Sequence, residues 1–402
     1  MENSRCRRAT RALVLATAYF ATGVCFCLPG PTLVDLSEQT QSNYSRLSYI
    51  LAARSSGDRL ASGAAARLLS GSLFLCAAGL VAVPWCTDLA LLVLVTAALG
   101  VALGAAATAS TKLCDQWALG GGVRLLGLVG ASVCPVLAVV AGQMRLTYWA
   151  SAALLATASL LFAPWRSEPA ELRHEPETTR QPTCHVTRAL GLAALFLSCG
   201  SHRALGQLIG AYSAVFSDGG AVTSGLAACF FYGSNLGASA AAQLLHHGWL
   251  LGGSRAATVA GAALLAWLPR PWAVPWLAAA LMGLQALPGT GAPLHTTAQR
   301  VGEMLACLVL GPALDSDDAT AFGVRALVLT ALALTASLAL WYATQRYSCR
   351  DAEHDGVVER NGSTTRWYVQ RAEPSINREK PVAEDARSQD SQSSVRGAAQ
   401  QS

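Results

Sequence analysis

The feature that most constrains this chain is the recurrence of uninterrupted apolar blocks, each about 17 to 25 residues long, from Arg11 to Tyr342. At about 1.5 Å of rise per residue, one such block crosses a hydrocarbon layer of ~30 Å. Charged residues make up only 13% of the chain against 52% hydrophobic ones, where soluble domains carry roughly a quarter. A water-soluble core cannot absorb that much apolar surface. The expected class is therefore an all-α membrane protein.

Twelve spans are expected, near Arg11–Val34, Tyr44–Leu68, Leu69–Pro84, Leu89–Ser110, Val123–Gly142, Leu146–Phe162, Ala189–Phe216, Val222–Leu245, Leu251–Leu268, Trp272–Leu287, Thr296–Leu314 and Ala319–Tyr342. Arg5, Arg7, Arg8 and Arg11 before the first block also fit a signal peptide, but eleven further blocks favour a retained helix. The domain layout is a short N-terminus at 1–10, a six-helix half at 11–165, a linker at 166–188, a second six-helix half at 189–345 and a tail at 346–402. The linker mixes Glu, Arg and His with Pro169, Pro176 and Pro182, and the tail is polar throughout, so neither can span. The tail is expected to be disordered and to serve as a cytoplasmic partner-binding segment.

Positive residues stay on the cytoplasmic side. Arg67, Lys112, Arg124, Arg255 and the linker arginines share one side with both termini, while Asp88, Asp218, Asp315, Asp317 and Asp318 fall on the other. Both termini are thus expected in the cytoplasm, in the plasma membrane. The sequon at Asn43 then lies in the first exterior loop and is expected to carry a glycan, whereas Asn361 lies inside and stays bare.

The net charge of +5 does not indicate nucleic acid, because the arginines sit at block edges and in the tail. The twelve cysteines are dispersed through apolar blocks, and Cys25 with Cys27 lacks the spacing of a metal site, so no metal is expected. Gly120 to Gly122 are not a phosphate loop, and no clustered catalytic constellation is present, so the protein is not expected to be an enzyme. Gly100 with Gly104, Gly206 with Gly210 and Gly233 with Gly237 read as close-packing pairs.

Polar groups at membrane depth require a partner, a cavity or a function. Arg54 and Asp58 are four apart and fit an intrahelical ion pair or a gate. His202, Arg203, Gln207 and Tyr212 form the richest polar stripe of the second half. His202 reads either as a proton-exchanging group or as a hydrogen-bonding partner between helices. Tyr232, Asn235 and Gln285 add neutral donors and acceptors suited to a hydroxylated solute, with Gln207 and Tyr212. Arg300 and Glu303 are three apart near an expected helix end, where pairing or snorkelling has a structural role.

Gly30-Pro31-Thr32-Leu33-Val34-Asp35-Leu36 resembles the GPTLxDL stretch of a branch of the major facilitator superfamily, the sodium-dependent glucose transporter-like proteins (major facilitator domain-containing protein 4). Gly302-Glu303-Met304 is similar to its GEM stretch in the eleventh span. Shorter likenesses cover Leu47 to Gly57, Gly100 to Thr108, Gly130 with Pro135, Gly200 to Tyr212 and Tyr232 with Gly233. The resemblance implies two pseudo-symmetric six-helix halves around a midplane site, and secondary transport of a monosaccharide or similar polar solute by alternating access. It implies no cofactor beyond a coupling ion, Na+ or H+. Gln207, Tyr212, Tyr232, Asn235 and Gln285 become substrate candidates, and Arg54, Asp58, His202, Arg203 and Glu303 gating or coupling candidates. Where the branch has carboxylates, this chain has Ala107 and His202, which removes the hard oxygen ligands that a small cation takes. A proton-coupled organic-anion carrier and a non-transporting membrane scaffold or receptor of the same fold are the alternatives.

Overall fold

The computed structural model describes residues 2–55, 65–119, 122–165, 185–217, 220–245, 249–268, 273–285, 293–316 and 318–354. They form thirteen α-helices: α1 Glu2–Cys27, α2 Leu33–Thr40, α3 Tyr44–Ser55, α4 Ala65–Ala82, α5 Leu89–Gln116, α6 Gly122–Ala141, α7 Met144–Leu161, α8 His185–Phe216, α9 Gly220–Leu245, α10 Trp249–Trp267, α11 Val274–Gly283, α12 Pro293–Leu310 and α13 Ala319–His354. Twelve of these are the expected spans, and α2 is additional. By contacts the chain divides into one unit over Met1–Asp351 and a second over Ala352–Ser402.

Local chemistry explains the departures from the expected boundaries. The first span stops at Cys27, short of Val34, because Pro29 and Pro31 remove backbone donors and disfavour helical geometry in the residue before each. The chain then restarts as α2, which ends in a left-handed Gln41 at φ 48°, with Ser42 N–H on the Ser37 carbonyl at 3.2 Å. Residues 65–68 belong to α4 and not to the second span. α11, at the tenth expected span, is only 10 residues long, and α12 starts at Pro293, before the expected Thr296. The last helix runs to His354, beyond the expected tail boundary at 346. Asp58, residues 166–184 of the linker and the tail from 355, including Asn361, lie outside the described residues.

Among the described residues, Cys6–Cys27, Ala65–Trp85, Leu89–Gln116, Gly122–Ala141 and Ala319–Thr344 are long and apolar enough to cross a membrane unaided. Their outward faces carry exposed Phe74, Leu94, Val140 and Val328, side chains that belong in lipid. Lipid offers no hydrophobic drive for helices to pack, so close backbone approach has to supply it. Gly200 on α8 meets Gly302 on α12, where an added Cβ would lie 2.6 Å from Gly302 Cα and 2.7 Å from the Glu303 nitrogen. Gly100 likewise sits against Arg54, with an added Cβ 2.6 Å from its Cα. Gly233 and Gly237 have nothing within 4 Å of such a Cβ and are not a packing pair here.

The six-helix halves, α1 with α3–α7 and α8–α13, meet along α3 with α12 and α6 with α9. At one end of the bundle, the Asp315 carboxylate accepts the N–H groups of Tyr44 and Ser45, each at 2.7 Å. These are orphan donors at the start of α3, and an anion there satisfies both hydrogen bonding and the helix dipole. At the other end Arg11 lies 5.3 Å from the ring centroids of both Trp117 and Trp165, and Arg8 donates to the Ala118 carbonyl at 3.1 Å.

Candidate functional site

Midway along the bundle, a cavity of ≈ 220 Å³ separates the halves. α1, α5 and α6 supply an almost wholly apolar wall of Phe26, Leu103, Ala107, Leu128 and Ala131, with Thr22 and two glycines. α8, α9 and α12 supply the facing wall: His202, Arg203, Phe231, Tyr232, Asn235 and Arg300.

The polar wall is held by a network between helices. Asn235 Nδ2 approaches His202 Nε2 and also donates to the Gln285 carbonyl at 3.3 Å. The second bond fixes which end of the amide carries hydrogens, so His202 Nε2 accepts and a neutral ring carries its proton on Nδ1. A second proton on that ring would break the bond to Asn235. Gln285 Nε2 donates to both the carbonyl and Oγ of Ser198, each at 3.2 Å. Asn235 Oδ1 is buried without a hydrogen-bond partner, on the wall of the cavity.

Behind this wall lies the charged centre. Glu303 is 1% exposed, and its Oε1 accepts from Gln207 Nε2 at 2.8 Å. Its Oε2 stands 3.6 Å from Arg203 and 3.6 Å from Arg300, beyond hydrogen-bond range of either. Arg54, 5% exposed, donates one nitrogen to the Cys25 carbonyl at 2.9 Å, and its other terminal nitrogen has no hydrogen-bond partner. The guanidiniums of Arg54 and Arg203 lie 5.0 and 5.7 Å from the Phe26 ring centroid. The Glu303 carboxylate thus lies beside Arg203 and Arg300, while Arg54 sits on the Phe26 ring.

The structure therefore brings His202, Arg203, Tyr232 and Asn235 onto the cavity wall, with Gln207, Gln285 and Glu303 bracing them from behind. Arg54 sits across Phe26. Tyr212 is elsewhere, packed 4.8 Å from Phe322 and 5.0 Å from Phe216 between ring centroids. Glu303 is not at a helix end: it lies ten residues into α12, about 15 Å along the axis. Asn43 is exposed and its carbonyl starts α3, accepting from Leu47 N–H at 3.0 Å. Ser198, Phe26 and Arg300 enter the site without having been singled out for it; Arg300 three residues from Glu303 was the available signal.

No protein-family model matches this chain, and no curated protein sequence matches it. Solved structures do. A point mutant of the nucleoside transporter NupG superposes with a TM-score of 0.61 at 12% identity, covering 83% of this chain and 99% of that one. A second NupG structure gives 0.57 at 12%, covering 83% and 98%. The peptide transporter POT in complex with sulfate gives 0.57 at 13%, covering 84% and 94%. The chain has the major facilitator fold.

Proposed function

We propose that the protein is a secondary transporter that moves a small polar organic solute through this cavity by alternating access of the two halves. The observation that carries the reading is the mid-depth cavity lined by both halves, with ionisable side chains on its wall at a depth where they are costly unless used. The fold shared with two kinds of transporter supports it. A monosaccharide is the first solute to test, because Asn235 Oδ1 and the Tyr232 side chain give a hydroxylated ligand partners on the wall. Coupling to Na+ or H+ belongs to the same proposal. So do residence in the plasma membrane, both termini in the cytoplasm, and a cytoplasmic partner for the tail.

The test is uptake into proteoliposomes of labelled glucose and of a solute panel, with imposed Na+ or pH gradients and with none. Saturable flux above protein-free vesicles is expected. A folded, correctly inserted protein that moves nothing overturns transport and favours a scaffold or receptor of the same fold.

A further inference from the structure

The geometry points to a small flat aromatic molecule bearing one hydrogen-bond donor, an N–H or O–H, as the solute class of this cavity, an assignment that rests on the transport reading above. Size is the first constraint. At ≈ 220 Å³ the cavity lies below the roughly 300–1,000 Å³ of drug-sized sites, so the solute is small. The walls set its character. Phe26, Leu103, Ala107, Leu128 and Ala131 line the first-half side, where the one polar side chain among the described lining residues, Thr22, already donates its proton to the Ala18 and Tyr19 carbonyls, each at 2.9 Å. That side offers a polyol no donor, so a sugar bound here would leave hydroxyls poorly paired. An apolar ring suits it.

Aromatic rings stand on both walls. Phe26 on α1 is met by the Arg203 guanidinium 5.7 Å from its centroid, and Phe231 on α9 lies 4.7 Å from the His202 ring. Phenyl, imidazole and guanidinium planes all pack well against an arene, so a flat ring finds partners on either side whatever the charge of the wall. The donor follows from Asn235, whose side chain lines the cavity. Its Nδ2 is held by His202 Nε2 and the Gln285 carbonyl, and its Oδ1, an acceptor with no proton of its own, has no partner. An acceptor kept dry and unpaired is costly, and the two contacts on Nδ2 stop the amide from turning away to relieve it. A solute N–H or O–H brought to Oδ1 satisfies it. A solute carrying acceptors alone does not.

Purified full-length protein in nanodiscs, titrated calorimetrically with benzimidazole, 1-methylbenzimidazole and glucose against empty nanodiscs, tests this. The first two share a flat body and differ by one N–H. Benzimidazole should bind saturably, and its methylated analogue at least about tenfold more weakly. Asn235→Leu should bring the two to equal affinity, because a hydrogen bond vanishes with its acceptor whereas a steric clash with the methyl group persists. Phe26→Leu should weaken both alike and keep their ratio. Size-exclusion profiles and unliganded melting temperatures establish that each variant is folded, and the wild-type comparison of the two analogues needs no variant. Equal affinity of the analogues in the wild type, a ratio that survives in folded Asn235→Leu, or glucose binding tighter than benzimidazole overturns the assignment. So does the absence of saturable benzimidazole binding. Benzimidazole binding without flux in proteoliposomes sinks transport but keeps the site, whereas glucose flux without benzimidazole binding keeps transport and sinks the aromatic donor.

Discussion

Replacing Asp315 by asparagine preserves the side-chain shape while removing the charge that receives two N–H groups at the start of α3. Asparagine has one acceptor oxygen where aspartate has two, so one of the two 2.7 Å bonds is lost and the other ceases to be charge-assisted. A buried bond to a charged group contributes about 1.5–3 kcal/mol. Both of these are exposed, so the lower end applies, and the total loss is about 1–2 kcal/mol. Asp315 belongs to the second half and Tyr44 to the first, so this energy exists only while the halves are closed at that end. The closed state should therefore lose roughly 5- to 30-fold in population relative to the state open at the Asp315 end. Hydrogen–deuterium exchange reads this out. Amides in residues 46–50 and 306–313 should exchange faster by about that factor, while those of α5 should not change. If only Tyr44 and Ser45 respond, the bond is a local cap and the gating argument fails.

Other substitutions separate packing from binding. Gly200→Ala should destabilise the protein by about 1–3 kcal/mol, since the new methyl meets the backbone of Gly302 and Glu303, whereas Gly233→Ala, with open space around it, should leave the melting temperature within about 1 °C. Gln285→Ala strips Ser198 of its partner and should lower thermal stability more than Asn235→Ala, which instead should change solute affinity; thermal unfolding and binding titrations distinguish the two. Expression in a glycosylating cell should yield a glycosidase-sensitive band that Asn43→Gln abolishes and Asn361→Gln leaves in place.

The span pattern was legible because the thickness of the hydrocarbon layer sets a recurring length of apolar block, although among the described residues only five helices meet that length and apolarity by themselves. Boundaries were less so where a local signal competes with an apolar run: Pro29 and Pro31 split α1 from α2 although Leu33 and Val34 continue the apolar character. Tyr212 shows how projection down a helix misleads. Ten residues along α8 carry it about 80° around the helix from His202 and about 15 Å away in depth, into an aromatic cluster. Glu303 shows the converse, since polar neighbours at Gln299 and Arg300 made a mid-helix position look terminal until the helix start at Pro293 was known. The pairings that build the site, Gln207 with Glu303 and Gln285 with Ser198, join residues 96 and 87 apart in sequence. Periodicity within one helix carries no information about them.

On the proposed transport reading, the division of the cavity into an apolar wall and a polar wall also sets which half a bound solute travels with. Apart from Thr22, the polar side chains of the lining come from α8, α9 and α12, so a bound ligand would in effect be a passenger of the second half. The first half presents a surface of Phe26, Leu103 and Leu128 that is indifferent to sliding, because dispersion contacts re-form at a new register without an intermediate that lacks partners. Rocking of one half past the other then breaks no hydrogen bond to the cargo. On the proposed transport reading, the barrier to reorientation would then fall on the contacts between the halves themselves.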